Sequence, residues 1–394
     1  MKRALVLVLI LLLGIAPIAN AAPKKIAVKP LQLLTTIGPP DEVSGVVVSG
    51  KSLIIYGTQG LKAYARAIDA TGNQLWQLSL DQSLASIATA AAVDLVGDIW
   101  IVGATPLAAG PVSAQVTPIN PDNAVVPPTT FVEDLQVITI WKISVAGELL
   151  FRYILPTNYV VFPTAIALDK AGISVVGLVA SEKVSAGFIT NVDLAGVFSE
   201  LLQIGATATT VDAVVRHRDG SMTVAGSSAE TIAAKKLVGI SDAILVKVSK
   251  SLKIKSVIRS SIAKGERIWN SASSSLLLGG EVFVASKTET AVTKFSTAFV
   301  PKWSYRFTAS GPAKILGSTQ LLFISTSSIP QLVWRPKTPT PLLITFDAKG
   351  IITAADSGPA GQREVLGGLI SKEFGVLVVT SSAESVSIFT RIPR

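Results

Sequence analysis

The chain has no cysteine, a single histidine and only two methionines among its 394 residues. Without cysteine there can be no disulfide, thiolate zinc site, iron–sulfur cluster, cysteine nucleophile or lipidated cysteine behind an export signal. An apolar core must therefore carry the stability alone. With 49% hydrophobic and 15% charged residues, that core can be large, and the chain is too apolar for disorder. Long hydrophobic runs are scarce. The longest, 4-ALVLVLILLLG-14, falls short of the ~20 residues a membrane-spanning helix needs. Dense basic runs are missing too. The net charge of +9 is spread along the chain and reads as a solubility balance, so no nucleic-acid partner is expected.

The lone histidine opens the stretch 217-HRDGS-221, which resembles catalytic-triad chemistry in composition. A triad needs base and nucleophile within hydrogen-bond reach. His217, Asp219 and Ser221 are near neighbours at a strand end and its turn, so their side chains diverge. Asp219–Gly220 is ordinary hairpin chemistry. No catalytic residue is assigned.

What is present begins with an address. Lys2 and Arg3 precede the apolar run, and Pro17 and Ala19–Asn20–Ala21 follow it. A positive start, a short apolar stretch and a small-residue site predict a signal peptide over residues 1–21, removed on export to the cell envelope, periplasm or exterior.

Beyond residue 22, helical periodicity is almost absent. Val, Ile, Thr and Ser alternate with polar residues, and turns break the pattern about every ten residues, which predicts an all-β domain. One unit recurs. Its first hairpin is clearest in 87-IATAAAVDLVGDIWIVGAT-105, 162-FPTAIALDKAGISVVGLVAS-181 and 211-VDAVVRHRDGSMTVAGSSAE-230. Looser copies start near Val43, Asn270, Pro312 and Val365. In the first six copies a second hairpin follows, as in 138-ITIWKISVAGELLFRYIL-155 and 242-DAILVKVSKSLKIKSVIRS-260. Four strands repeating about every 50 residues predict a β-propeller.

The seventh copy stops at 385-SVSIFTRIPR-394 with no fourth strand, and 29-KPLQLLTTIG-38 precedes the first copy with no partner. The N-terminal strand is expected to complete the last sheet. The expected fold is therefore a seven-bladed propeller of four-stranded antiparallel sheets in one domain, residues 22–394. The blades run 43–86, 87–160 (insertion 104–136), 161–208, 209–263, 264–308, 309–361 and 362–394 plus 29–38. First strands rich in Ala, Gly and Ser are expected innermost. Fourth strands carrying Trp76, Phe151, Phe198 and Trp303 are expected outermost, where sheets diverge.

The segments 93-VDLVGDIWIVGAT-105 and 168-LDKAGISVVGLVA-180 resemble the D-x-x-G-N-x-Y-V-x-G pattern of secreted bacterial β-propeller (SBBP-type) repeats, and 217-HRDGSMTVAG-226 is similar to a variant of it. The hairpin 72-GNQLWQLSL-80 resembles the outer strand of the quinoprotein-like propeller superfamily. The resemblance implies the architecture and a quinone-dependent enzyme as one possible activity. Copies five to seven depart from it, because the Asp and Gly of the turn are lost there.

Asp69, Asp94, Asp169, Asp193, Asp219 and Asp347 recur at turns and read as caps of their own backbone rather than calcium ligands. No metal site or cofactor is expected. The repeat is interrupted on one side only: 104–136, 227–241 and 325–341 lengthen the loops between second and third strands of copies two, four and six. In a propeller those loops share a face. The candidate binding residues are Trp334, Arg335 and Lys337 in the third loop, Lys235 and Lys236 in the second, and Asn120 and Asp122 in the first. Aromatic and guanidinium groups on stiff, Pro-rich loops suit recognition. The sequence thus reads as a monomeric, non-catalytic binding protein whose partner is a protein, a peptide or an envelope polysaccharide. An extracytoplasmic propeller enzyme, quinoprotein-like or hydrolytic, is the alternative.

Overall fold

The computed structural model describes residues 25–82, 85–107 and 135–391, and among these it is strands and turns without a helix. The signal peptide proposed for residues 1–21 lies outside the described residues.

Six antiparallel sheets have four strands each and a seventh sheet has six. The first sheet runs Val43–Ser49, Ser52–Gln59, Lys62–Ile68 and Gln74–Ser79, and the others repeat that meander along the chain. The first strand of every sheet lies beside the first strand of the next, and Glu364–Ser371 of the last lies beside Val43–Ser49 of the first. This is the radial arrangement of an all-β propeller.

Seven apolar clusters hold it together, one in each gap between neighbouring sheets. Because each sheet is covered on both faces, its second and third strands are mostly buried. In Ile99–Thr105 every residue is buried. At ~1.5–3 kcal/mol for each buried aliphatic or aromatic side chain, these gaps supply the folding energy that disulfides supply elsewhere.

A second device is built into each sheet. In six of the seven first strands one residue bulges out of register: Ser44, Thr89, Thr164, Asp212, Asn270 and Leu366. The bulge pushes a carbonyl of the first strand toward the second strand. In five sheets a glycine stands there. A Cβ on Gly103 would lie 1.7 Å from the carbonyl oxygen of Ile87, and one on Gly226 would lie 2.1 Å from that of Thr210. The last glycine of the recurring V-x-G pattern is thus required by close approach, not by its turn.

The turns behave as expected. The Oδ1 atom of each of Asp69, Asp94, Asp169, Asp193, Asp219 and Asp347 accepts from the backbone amide two residues on. Where the sequence pattern is lost, the geometry survives. Ser273 replaces Asp and accepts from the Leu277 amide at 3.2 Å, while Leu276 takes the left-handed backbone (φ 59°) of the missing glycine.

Three expectations need correction. The segment 29–38 is not one strand. It breaks at Leu31, with Ile26–Pro30 on one sheet and Gln32–Thr36 on the next. The second part pairs antiparallel with Val386–Thr390, placing Gln32 opposite Thr390. The first part adds in parallel to the outer edge of the sixth sheet, beside Ile352–Ser357. Leu332–Val333, from the long loop of that sheet, adds beyond it in turn. That sheet therefore has six strands, not four. Finally, bulk is not confined to outer strands. Trp269 is fully buried on a first strand, whereas Phe151 on a fourth strand is 54% exposed.

Candidate functional site

The third long loop does not stand clear of the molecule. Ile329 and Leu332 are buried in the cluster between the fifth and sixth sheets, and Trp334 packs against that cluster, half-buried. Its indole Nε1 donates to Ser325 Oγ at 3.4 Å. Trp334 is therefore anchored beside the sheet edge rather than fully presented, contrary to the expectation of an exposed aromatic. Beside it a cavity of about 340 Å³ is lined by Lys25, Ser328, Ile329, Pro330, Leu332, Val333, Trp334 and Arg335. Arg335 is exposed with no hydrogen-bond or ion-pair partner among the described residues, and Lys25 is exposed across from it. The groove thus joins an apolar floor to two free cations.

The other candidates are not gathered there. Lys337 is exposed on the same loop, and Lys235 and Lys236 are exposed on the loop of the fourth sheet. That second loop is tightly held. Glu230 Oε1 accepts from the amides of Ala206, Thr207 and Ala208 and from the Thr209 hydroxyl, at 2.7–3.1 Å. Burial works against the charged carboxylate, but these donors outweigh it and hold Glu230 down to about 2. Arg259 then binds the carbonyls of Ser228, Glu230 and Lys235 and the buried carboxylate of Asp242. Asn120 and Asp122 lie outside the described residues.

His217, Asp219 and Ser221 are not hydrogen-bonded as a triad among the described residues. The Nε2 of His217 meets Thr223 Oγ1 at 2.7 Å, and burial lowers the histidine's pKa. Asp219 instead accepts from the amide and hydroxyl of Ser221.

The axis is more polar than its sequence suggests. On one side a cavity of about 430 Å³ is lined mainly by first strands of the seventh, first and second sheets, including Val46, Ala91 and Leu366. Tyr56 closes its wall, its phenol pushed up to about 12 by burial. Gly45 leaves room for that ring, since a Cβ there would lie 2.4 Å from the phenol oxygen. Across the ring, Asp212 and Asn270 occupy the bulges of the fourth and fifth sheets, and Lys314 begins the first strand of the sixth. Burial raises the pKa of Asp212 against the Thr210 hydroxyl and the Lys314 charge, and burial lowers that of Lys314. A first strand reading 209-TTVDAVVR-216 carried the signal, an acid where the other bulges have Ser44, Thr89, Thr164, Asn270 and Leu366. Among the described residues no three His, Cys, Asp or Glu side chains form a metal-holding group.

No protein-family model matches the chain, and no curated sequence is similar to it. Solved structures are. The WD40 domain of coronin from Toxoplasma gondii shares 8% identity over 95% of this chain and 89% of its own, with a TM-score of 0.54. The alpha-L-arabinanase of Penicillium chrysogenum, complexed with arabinobiose, shares 10% identity over 88% of this chain and 98% of its own, with a TM-score of 0.51. At such identities the likeness speaks for fold alone. The chain is an all-β propeller of four-stranded antiparallel sheets.

Proposed function

We propose that this protein is an exported, non-catalytic binding propeller that takes its partner in the groove at Trp334 and Arg335. The carrying observation is that cavity, in which an aromatic wall and two unpaired cations meet on a segment held rigid by sheet pairing. Rigid aromatic and guanidinium groups lose little conformational entropy on binding. A protein segment, a peptide or an envelope polysaccharide with acidic groups fits it. The reading takes the architecture as seven blades in one domain, closed where Gln32–Thr36 pairs with Val386–Thr390, and it draws support from the apolar cluster that fills each gap. Export rests on the leader over residues 1–21. The test uses residues 22–394 as bait against envelope fractions, in parallel with Trp334→Ala and Arg335→Ala. The expected outcome is a partner retained by the parent and lost from both variants. Equal retention by all three proteins would remove the groove from the proposal. A reporter fused behind residues 1–21 that stays in the cytoplasm would remove export.

A further inference from the structure

In an antiparallel meander the first-to-second and third-to-fourth turns leave every sheet at the same end. Contacts set three of these ends in a row. A Cβ on Gly196, in a turn of the third sheet, would lie 1.9 Å from the ring of Tyr153 on the second. Asp169, in the other turn of the third sheet, pairs with Arg216 of the fourth at 3.0 Å. Along this row five aliphatic side chains stand exposed: Leu95, Val96 and Val145 on the second sheet, Leu194 and Val197 on the third. Leu95 is 93% exposed and Val96 80%, so neither packs against the rest of the chain. The turns do not require them either. Asp94 and Asp193 cap their own backbone through the amides of Val96 and Ala195. The matching turns 69-DATG-72 and 347-DAKG-350 have Ala, Thr and Lys at the same positions.

The charges beside these tips narrow the partner. Lys170, Arg218, Lys250, Lys253 and Lys255 are exposed in or next to the turns of the third and fourth sheets. None of them has an ion-pair partner among the described residues. The acids nearby are engaged. Asp98 pairs with Lys142, Asp169 with Arg216, and Asp219 accepts from Ser221. The row therefore carries uncompensated positive charge next to protruding aliphatic groups. A protein partner is matched by central, well-packed anchors, whereas these tips are convex and stand on separate turns. A bilayer accepts separate tips, because its interface is fluid, and its anionic headgroups meet the cations while the lysine stems lie along the apolar boundary. We propose that the turn ends of the second to fourth sheets dock on an anionic lipid surface, at a site separate from the groove on the sixth sheet.

The test is vesicle co-sedimentation of residues 22–394, so that the apolar run 4–14 does not itself bind lipid. Vesicles of equal parts phosphatidylcholine and phosphatidylglycerol are compared with phosphatidylcholine alone. The mixed vesicles are expected to bind at least about tenfold more tightly, and added salt to weaken that binding. Leu95→Ser combined with Val96→Ser, and separately Lys250→Gln combined with Lys253→Gln, are each expected to weaken it at least about fivefold. Two controls should leave it unchanged: Trp334→Ala, and Leu61→Ser at an exposed second-to-third turn on the opposite end of its sheet. All of the double-variant positions are exposed, and a thermal melt checks folding. If one double variant fails to fold, the other decides. Three results would overturn the proposal: the mixed vesicles are not bound; both double variants bind like the parent; or phosphatidylcholine alone binds as tightly. Capture of an envelope protein through Leu95 and Val96, with no vesicle binding, would give the patch to a protein and overturn it as well.

Discussion

Glu230→Gln tests how the second long loop is held. The carboxylate gathers three backbone amides and a hydroxyl, and its pKa falls from the ordinary 4.5 to about 2. For a fully enclosed group that displacement would amount to about 3 kcal/mol. Glu230 is only half-buried, so water screens part of it and about 1–2 kcal/mol is expected. The sign follows from linkage. The folded state prefers the deprotonated carboxylate, so the contribution is complete above the unfolded pKa of 4.5 and is lost as pH falls toward about 2. Urea unfolding followed by tryptophan fluorescence should show Glu230→Gln less stable by about 1–2 kcal/mol near neutral pH, with the difference shrinking steadily below the ordinary Glu range. A difference that stays constant into the acid range would refute the argument, because the lost energy would then not be that of a charge. No difference at neutral pH would refute it as well.

Gly226→Ala should cost about 2–4 kcal/mol, since its Cβ would meet the Thr210 carbonyl at 2.1 Å, whereas Gly311→Ala, with open space around it, should be nearly silent in thermal melts. Leu31→Ala should lower stability by about 2–4 kcal/mol because Leu31 is buried between the sixth and seventh sheets, while Leu33→Ala, at a position 60% exposed, should have little effect in the same assay. Leu61→Gly should stabilise by about 1 kcal/mol, because Leu61 holds a φ of 66° at 73% exposure; an unchanged or lower melting temperature would refute that.

The repeat was readable because three of its signals are local. The Asp caps, the small first strands and the alternating hairpins each follow from a few neighbouring residues. The bulges were not readable in that way. A bulge at Asp212 and a glycine at 226 are two halves of one contact on different strands, and only their pairing reveals why both are needed. The same limit hid the pair of Asp212 and Lys314, which stand far apart in sequence and feel each other's charge only because the sheets are arranged about a common axis. The loop at Trp334 misled for a different reason. Its proline content reads as exposed and extended, but nothing in 325-STSSIPQLVWRPKTPTP-341 announces that Leu332–Val333 will pair with Ile26–Ala27. Parallel pairing with a distant segment leaves no mark on either stretch alone.

The break at Leu31 sets the order in which the molecule can be finished. Residues 26–36 leave the ribosome long before the edges they occupy have been made, and they must wait unpaired until Ile352–Ser357 and Val386–Thr390 have followed. Those two pairings are therefore made after synthesis of the later strands rather than as residues 26–36 emerge. A truncation that removed Val386–Thr390 would also strip Gln32–Thr36 of its place, so damage near one terminus would be felt as disorder at the other.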